Sequence, residues 1–263
     1  MSLIITDLSL GYEKNGQTKT ILQEVNFEVD NGTLTSILGP SGVGKSSLLR
    51  VIAGLDKPLS GNVALFGEQI NQPHPDVGFV FQSATLLPWL SVRNNVAFGL
   101  DFKCRTPLSK ADIQKRVEEA LEEVGLSHAI DAMPHELSGG MAQRVNLARA
   151  LARQPKVILL DEPFSALDEV IRSQMQTLLH DIVRHHNAAA IMVTHDIDEA
   201  LLVSDDVLLL GGTPAHIAGK WHLSDPFPRT DLLSLNHIRV DILQSLKWAQ
   251  QKNQPEPVID FVI

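Results

Sequence analysis

The chain has 263 residues, 44% of them hydrophobic, and a formal net charge of -9. That length can bury one large core, or a core with an inserted subdomain, and the acidic balance argues against a general nucleic-acid binder. Cys104 is the only cysteine, which excludes an internal disulfide and suits a reducing compartment.

The N-terminal Met-Ser-Leu-Ile-Ile-Thr-Asp lacks the basic start and long apolar stretch of a signal peptide. No run approaches the ~20 apolar residues of a spanning helix. A soluble cytoplasmic protein is expected, meeting a membrane only through a partner. Residues 3–10 read as a strand, and 21–29 alternates through Val25, Phe27 and Val29, as an antiparallel strand with one wet face does. Between them Tyr12, the only tyrosine, reads as a loop aromatic beside Gly11.

After the turn Asp30-Asn31-Gly32, residues 33–38 end in Ile37-Leu38 and read as a buried strand. Then come Gly39, Pro40, Ser41, Gly42, Val43, Gly44, Lys45 and Ser46, which fit G-x-x-x-x-G-K-[ST]. Ser47 begins a helix-forming run to Ala53 that Gly54 closes. Glycines let the backbone turn its N–H groups inward as a nest for phosphate oxygens at the positive end of a helix. Lys45 can reach the β- and γ-phosphates, and the Ser46 hydroxyl can hold Mg2+.

Residues 61–66 and 77–81 read as further strands, and Gln82 ends the second, where a polar side chain points at the ligand crevice of an α/β sheet. From 83 to 154 the composition shifts to helix. Ser109-Lys-Ala-Asp112 resembles a capping box, and Ile113, Val117, Ala120, Leu121 and Val124 keep the helical spacing of core packing. Ser138 is a natural N-cap, and Gly139 and Gly140 allow close approach at a second anion-receptive helix start.

The apolar run 157–160 ends in Asp161 and Glu162. Two carboxylates at the tip of a buried strand are costly unless they hold a cation or handle a proton. Ser165-Ala-Leu-Asp168 begins another helix, and the buried run 188–193 ends in Thr194-His195-Asp196. His185-His186 lack the Cys or Asp partners of a metal site. Residues 207–210, then Gly211-Gly212 and a return strand through 217–223, finish the sheet. A helix is expected over 232–252, with Leu235, Ile238, Ile242 and Leu246 on one face, and 254–263 reads as loosely attached.

In this order and spacing the motifs resemble the nucleotide-binding subunit of ATP-binding cassette (ABC) transporters, over about residues 1–225. The resemblance implies a P-loop NTPase (RecA-like) α/β core, an antiparallel β subdomain and an inserted α-helical subdomain at about 83–154, with 226–263 as a short helical tail. It implies ATP and Mg2+ as ligands. Tyr12 would stack on adenine, and Gly39 to Ser47 would cradle the phosphates. Gln82, Ser46 and Asp161 would hold Mg2+, Glu162 would act as general base, and His195 would sense the γ-phosphate. Ser138, Gly139, Gly140 and Asp168 would meet the nucleotide of the opposite subunit, so that a homodimer sandwiches two ATP. Two departures from the family pattern stand out: Met141 where Gln is usual and Ser47 where Thr is common.

The run Leu86-Leu-Pro-Trp-Leu-Ser-Val-Arg-Asn-Asn-Val-Ala-Phe-Gly-Leu100 is similar to importers of nitrate, sulfonate and taurine, or of a thiamine pyrimidine precursor. The implied protein is a bacterial-type import ATPase, peripheral on the cytoplasmic face of the inner membrane. Its partners would be transmembrane permease subunits and, indirectly, an extracytoplasmic solute-binding protein, with no nucleic acid. Residues 83–100 would dock the permease, unless Trp89 belongs to the subunit's own core. The competing readings are a soluble non-transport ABC ATPase and a P-loop kinase, although a kinase would lack Ser138-Gly139-Gly140 and His195.

Overall fold

A computed structural model describes residues 3–14, 16–102, 107–165, 167–229 and 233–251. Leu3–Lys14 (β1) and Gln17–Val29 (β2) pair antiparallel, and the alternating Val25, Phe27 and Val29 are buried as their period of two requires. Strand β1 runs on past residue 10, so Tyr12 lies inside a strand opposite Lys19 and not in a loop. Leu34–Leu38 (β3) is buried at every position, and Lys45–Ile52 (α1) follows its glycine turn. Ser60–Leu65 (β4) and Glu68–Gln69 (β5) extend the antiparallel half. Strand β5 is too short to show any periodicity in the sequence.

Val77–Val80 (β6) leads into the helical arm: Val92–Ala97 (α2), Lys110–Glu123 (α3) and Gly139–Leu151 (α4). The capping box of α3 forms as expected, with the Ser109 hydroxyl accepting from Asp112 N–H and the Asp112 carboxylate accepting from Ser109 N–H. The stripe Val117, Ala120, Leu121 and Val124 packs against Val96, Val145 and Phe164 in one core cluster.

Then come Val157–Asp161 (β7), Glu169–His185 (α5), Ala189–Val193 (β8), Ile197–Val203 (α6), Asp206–Gly212 (β9), Ala215–His222 (β10) and Asn236–Gln251 (α7). The strands make one sheet in the order β5-β4-β1-β2-β10-β9-β3-β8-β7-β6. Strands β9, β3, β8, β7 and β6 are mutually parallel. Strand β10 joins the two halves, antiparallel to β9 and paired with β2 only where Ala215 meets Leu22.

The apolar face expected on the last helix is real. Leu235 and Ile242 are buried, and Ile238 and Leu246 pack beside them against Leu201, Leu209 and Leu223. Each fully buried Leu or Ile contributes about 1.5–3 kcal/mol, enough to hold α7 on the sheet. Residues 254–263 lie outside the described residues. Among the described residues no helix is long and apolar enough to cross a membrane.

Candidate active site at the carboxyl ends of the parallel strands

Parallel strands in register end side by side. The register sets Val80 opposite Leu160, Asp161 opposite Val193, and Val193 opposite Ile37. The carboxyl ends of these strands therefore bring four groups to one edge of the sheet: the glycine turn after β3, Gln82 after β6, Asp161-Glu162 at the end of β7, and His195 after β8. This edge is where open α/β sheets hold their ligands.

The turn is shaped by its packing. Gly44 has φ +108, and a Cβ there would lie 2.8 Å from Ile21 Cγ2 of β2. Only glycine tolerates both the left-handed backbone and that approach. A bulge supplies the contact: Leu10 pairs with Leu22 and Gly11 with Thr20, which leaves Ile21 without an opposite residue on β1. Tyr12, 43% exposed, lies on the neighbouring strand opposite Lys19.

Helices α2 to α6 start with a Ser or Asp side chain accepting from their own first turn, whereas α1 has no such cap. A helix start without a side-chain cap can take an external acceptor, and the dipole favours an anion there. Lys45 is 6% exposed and donates from Nζ to the Gly39 carbonyl at 2.8 Å and the Pro40 carbonyl at 3.1 Å. Burial lowers its pKa, while Glu162 and then Asp161 push it back up. The ammonium is thus held over the turn by weakly competing carbonyls, available to phosphate oxygens.

Ser46 Oγ donates to Asp161 Oδ1 at 2.9 Å. Burial raises the Asp161 pKa, the Ser46 bond opposes that, the Glu162 charge adds to it, and Lys45 lowers it. Gln82 Nε2 donates to Glu162 Oε2 at 3.1 Å, and His195 Nδ1 lies 3.3 Å from Glu162 Oε1. Glu162 itself has φ +43, a strained backbone pinned by its N–H donating to the Val193 carbonyl at 3.0 Å. Lys45, Ser46, Gln82, Asp161, Glu162 and His195 therefore form one connected cluster. Ser47 lies in the first turn of α1 and Gly42 in the open part of the loop, with no atom within 4 Å of a Cβ built there.

Ser138, Gly139, Gly140 and Asp168 lie at the starts of α4 and α5, which meet where Gly140 faces Ile171. Ser138 Oγ accepts from Met141 N–H at 3.3 Å, and Asp168 Oδ1 accepts from Ile171 N–H at 3.0 Å. The two glycines do different jobs. A Cβ on Gly140 would come within 2.8 Å of Ile171 Cγ2, so glycine there lets α4 abut α5, while a Cβ on Gly139 would meet nothing. Met141, which stands where Gln is usual, packs its side chain against the core of the arm.

A match to the protein-family model described as "ABC transporter" spans residues 22–165. The chain belongs to the ABC transporter family. This ABC cassette is 43% identical over 234 residues to the aliphatic sulfonates import ATP-binding protein SsuB 1 of Xanthomonas axonopodis pv. citri, covering 87% of this chain and 91% of that protein. It is 46% identical over 217 residues to the bicarbonate transport ATP-binding protein CmpC of Synechocystis sp., covering 82% of this chain and 32% of the relative. Indeed the chain spans about a third of the length of the first curated relatives it matches. Among solved structures, a dimeric ATP-binding cassette in a post-hydrolysis state, bound to ADP and Pi, superposes with a TM-score of 0.74 at 32% identity, covering 85% of this cassette and 100% of that chain.

Sequence reasoning passed over a polar network in the cassette. Gln143, Asn146 and Arg149 of α4 all bond to the segment around Gln82. The signal was the polar residues inside the run Val145-Asn-Leu-Ala-Arg-Ala150. His186, one of the two adjacent histidines, caps α5 and bonds to Glu123 of α3. Among the described residues no group of three or more His, Cys, Asp or Glu is placed to hold a metal ion.

Proposed function

We propose that this cassette hydrolyses ATP to energise import of a small solute through a separate permease. One observation carries the reading: the Ser46–Asp161 and Gln82–Glu162–His195 contacts converge on the uncapped start of α1. A triphosphate seated on those N–H groups has Lys45 beside its β- and γ-phosphates. Glu162 then receives a proton from the attacking water as its oxygen bonds to the γ-phosphorus and the bond to the ADP oxygen breaks. His195 holds the far side of the Glu162 carboxylate, and Tyr12 offers its exposed ring to the base. Oxygen donors from Ser46, Gln82 and Asp161 fit Mg2+, which takes few carboxylates and shares the substrate's phosphates; it would neutralise charge developing on the phosphoryl oxygens.

Ser138, Gly139, Gly140 and Asp168 serve the ATP of a second copy in a homodimer with two ATP, in keeping with the dimeric cassette that this chain resembles. Residues 1–225 then form the ATPase domain, with 83–154 as its helical insertion. The packed helix α7 supports treating the 226–263 tail as an extension of the same body. The solute is a small oxyanion such as nitrate, bicarbonate or a sulfonate, in keeping with the relatives' names. It would be delivered by an extracytoplasmic binding protein, with this chain peripheral at the cytoplasmic face.

An apolar groove supports the permease as partner. A cavity of about 380 Å³ is lined by Leu55, Phe81, Leu87, Phe98 and Phe102 between sheet and arm. Trp89 is 71% exposed, so it is not part of the subunit's own core; exposed apolar patches of this kind mark interaction sites. Replacing Trp89→Asp should leave ATP hydrolysis by the full chain at the wild-type rate and abolish copurification with a multi-spanning membrane protein. A folded variant that still copurifies would remove the docking role, and a wild type that hydrolyses no ATP would remove the function itself.

A further inference from the structure

The chain leaving β6 is caught on both sides of Gln82 by side chains of α4. Gln143 Nε2 and Asn146 Nδ2 donate to the Phe81 carbonyl at 3.3 and 3.1 Å. Beyond Gln82, Arg149 Nη2 donates to the Ala84 carbonyl and the Thr85 hydroxyl, each at 3.2 Å, and its Nη1 donates to the Thr85 carbonyl at 3.1 Å. Arg149 Nη2 also donates to Asn146 Oδ1 at 2.8 Å, which closes the side chains into one network.

Two features make this more than a surface contact. Asn146 is fully buried and Gln143 nearly so, and buried amides are costly unless their bonds are made. Thr85 has φ +43, a region that a β-branched residue rarely enters and that persists only where its surroundings hold it. The guanidinium fork of Arg149, bonded to both the carbonyl and the hydroxyl of Thr85, is that support.

We infer that Asn146 and Arg149 are positioning residues that hold Gln82 against Glu162 and tie it to the helix beginning at Ser138. The inference rests on the ATPase reading, in which Glu162 handles the attacking water. Helix α4 would then be a lever between two sites. Its first turn faces the nucleotide of the second copy, and its later turns grip the segment that carries Gln82. Displacement of Ser138 on dimer closure would move Gln82 in the same subunit. The rival possibility is a staple that merely fastens the arm to the sheet.

A double-mutant cycle on the full chain separates the two. Arg149→Lys keeps the charge and stem but loses the planar fork. It should lower kcat for ATP hydrolysis about tenfold with KM changed by less than about twofold, since Lys45 and the glycine loop are untouched. In a Gln82→Ala background the same change should cost less than about twofold, because the group being positioned is gone. An equal loss in both backgrounds, or a loss confined to KM, overturns the inference in favour of the staple. If circular dichroism finds Arg149→Lys unfolded, Thr85→Gly takes its place. Glycine accepts the left-handed backbone and drops the hydroxyl, and the same non-additivity is required. Absence of ATP hydrolysis in the wild type would refute the ATPase reading and the inference with it, a result distinct from an additive cycle.

Discussion

The start of α1 and the paired starts of α4 and α5 are built on opposite plans. At α1 everything around the bare N-terminus comes from the same chain: Lys45 over the loop, Ser46 on Asp161, Gln82 and His195 on Glu162. At α4 and α5 the first turns are satisfied by their own caps, Ser138 and Asp168, and are fitted to each other through Gly140 and Ile171. The first gathers polar side chains from several strands around an uncapped start, whereas the second spends its polar side chains on capping the helices themselves. The difference teaches that a helix start is left open or closed by where the nearby polar side chains are bonded, and not by glycine and serine content alone.

The sharpest way to break that comparison is Glu162→Gln. Loss of the proton acceptor should lower kcat about a thousandfold while ATP still binds, and size analysis should find a stable dimer holding two ATP. Hydrolysis at the wild-type rate would leave Glu162 without its role. Next in size is Ser138→Arg, which places a bulky cation at the start of α4. Turnover should fall about a hundredfold, with the ATP affinity of the isolated chain unchanged, no nucleotide-driven dimer, and a thermal midpoint only about 2–4 °C lower through loss of the α4 cap. If turnover survives, the α4 start does not complete any site.

The smallest effect lies at the far end of α5, where it meets the helical arm. His186 on α5 bonds Glu123 on α3 at 2.9 Å, and that bond, less a partial cost of burial, raises the histidine pKa. A raised folded-state value means stabilisation that is full below the ordinary value of about 6.5 and fades as pH climbs through the higher one. Wild type should therefore melt about 2 °C above His186→Asn at pH 5.5, and the gap should close by pH 8.5. A gap that widens with pH would reverse the sign and exclude the ion pair.

The parts legible in the sequence are those whose cause is local. Strand, glycine turn and helix from 34 to 52 announce themselves by composition, as do the Ser109 box and the apolar stripe of α7. The convergence of Gln82, Glu162 and His195 was legible too, because each comes after a buried strand and parallel strands bring their ends together. What escaped depends on partners far along the chain. Asn146 and Arg149 look like ordinary helix residues until Phe81 and Thr85 are folded against them. Tyr12 reads as a loop residue because Gly11 beside it suggests a break, whereas the pairing of β2 carries β1 through. Nothing in the sequence distinguishes a Trp89 turned to solvent from one in the core; the fold decides it by packing Leu86 on the arm's core and leaving Trp89 exposed.

The bulge in β2 makes the first hairpin a ruler. Its zero mark is Ile21 against Gly44, where the glycine loop is fixed, and its reading end is Tyr12 opposite Lys19. Two steps of strand lead from Ile21 to Lys19, a span of roughly 7 Å at about 3.4 Å per step. That length is set by hydrogen-bond register and by no side chain, so it survives most substitutions along the hairpin. It does not survive a change in residue count. Deleting Thr20, the one residue between Lys19 and Ile21, would close the bulge: Ile21 would fall opposite Gly11 with Tyr12 still opposite Lys19, and Gly44 would lose the contact that shapes the glycine loop.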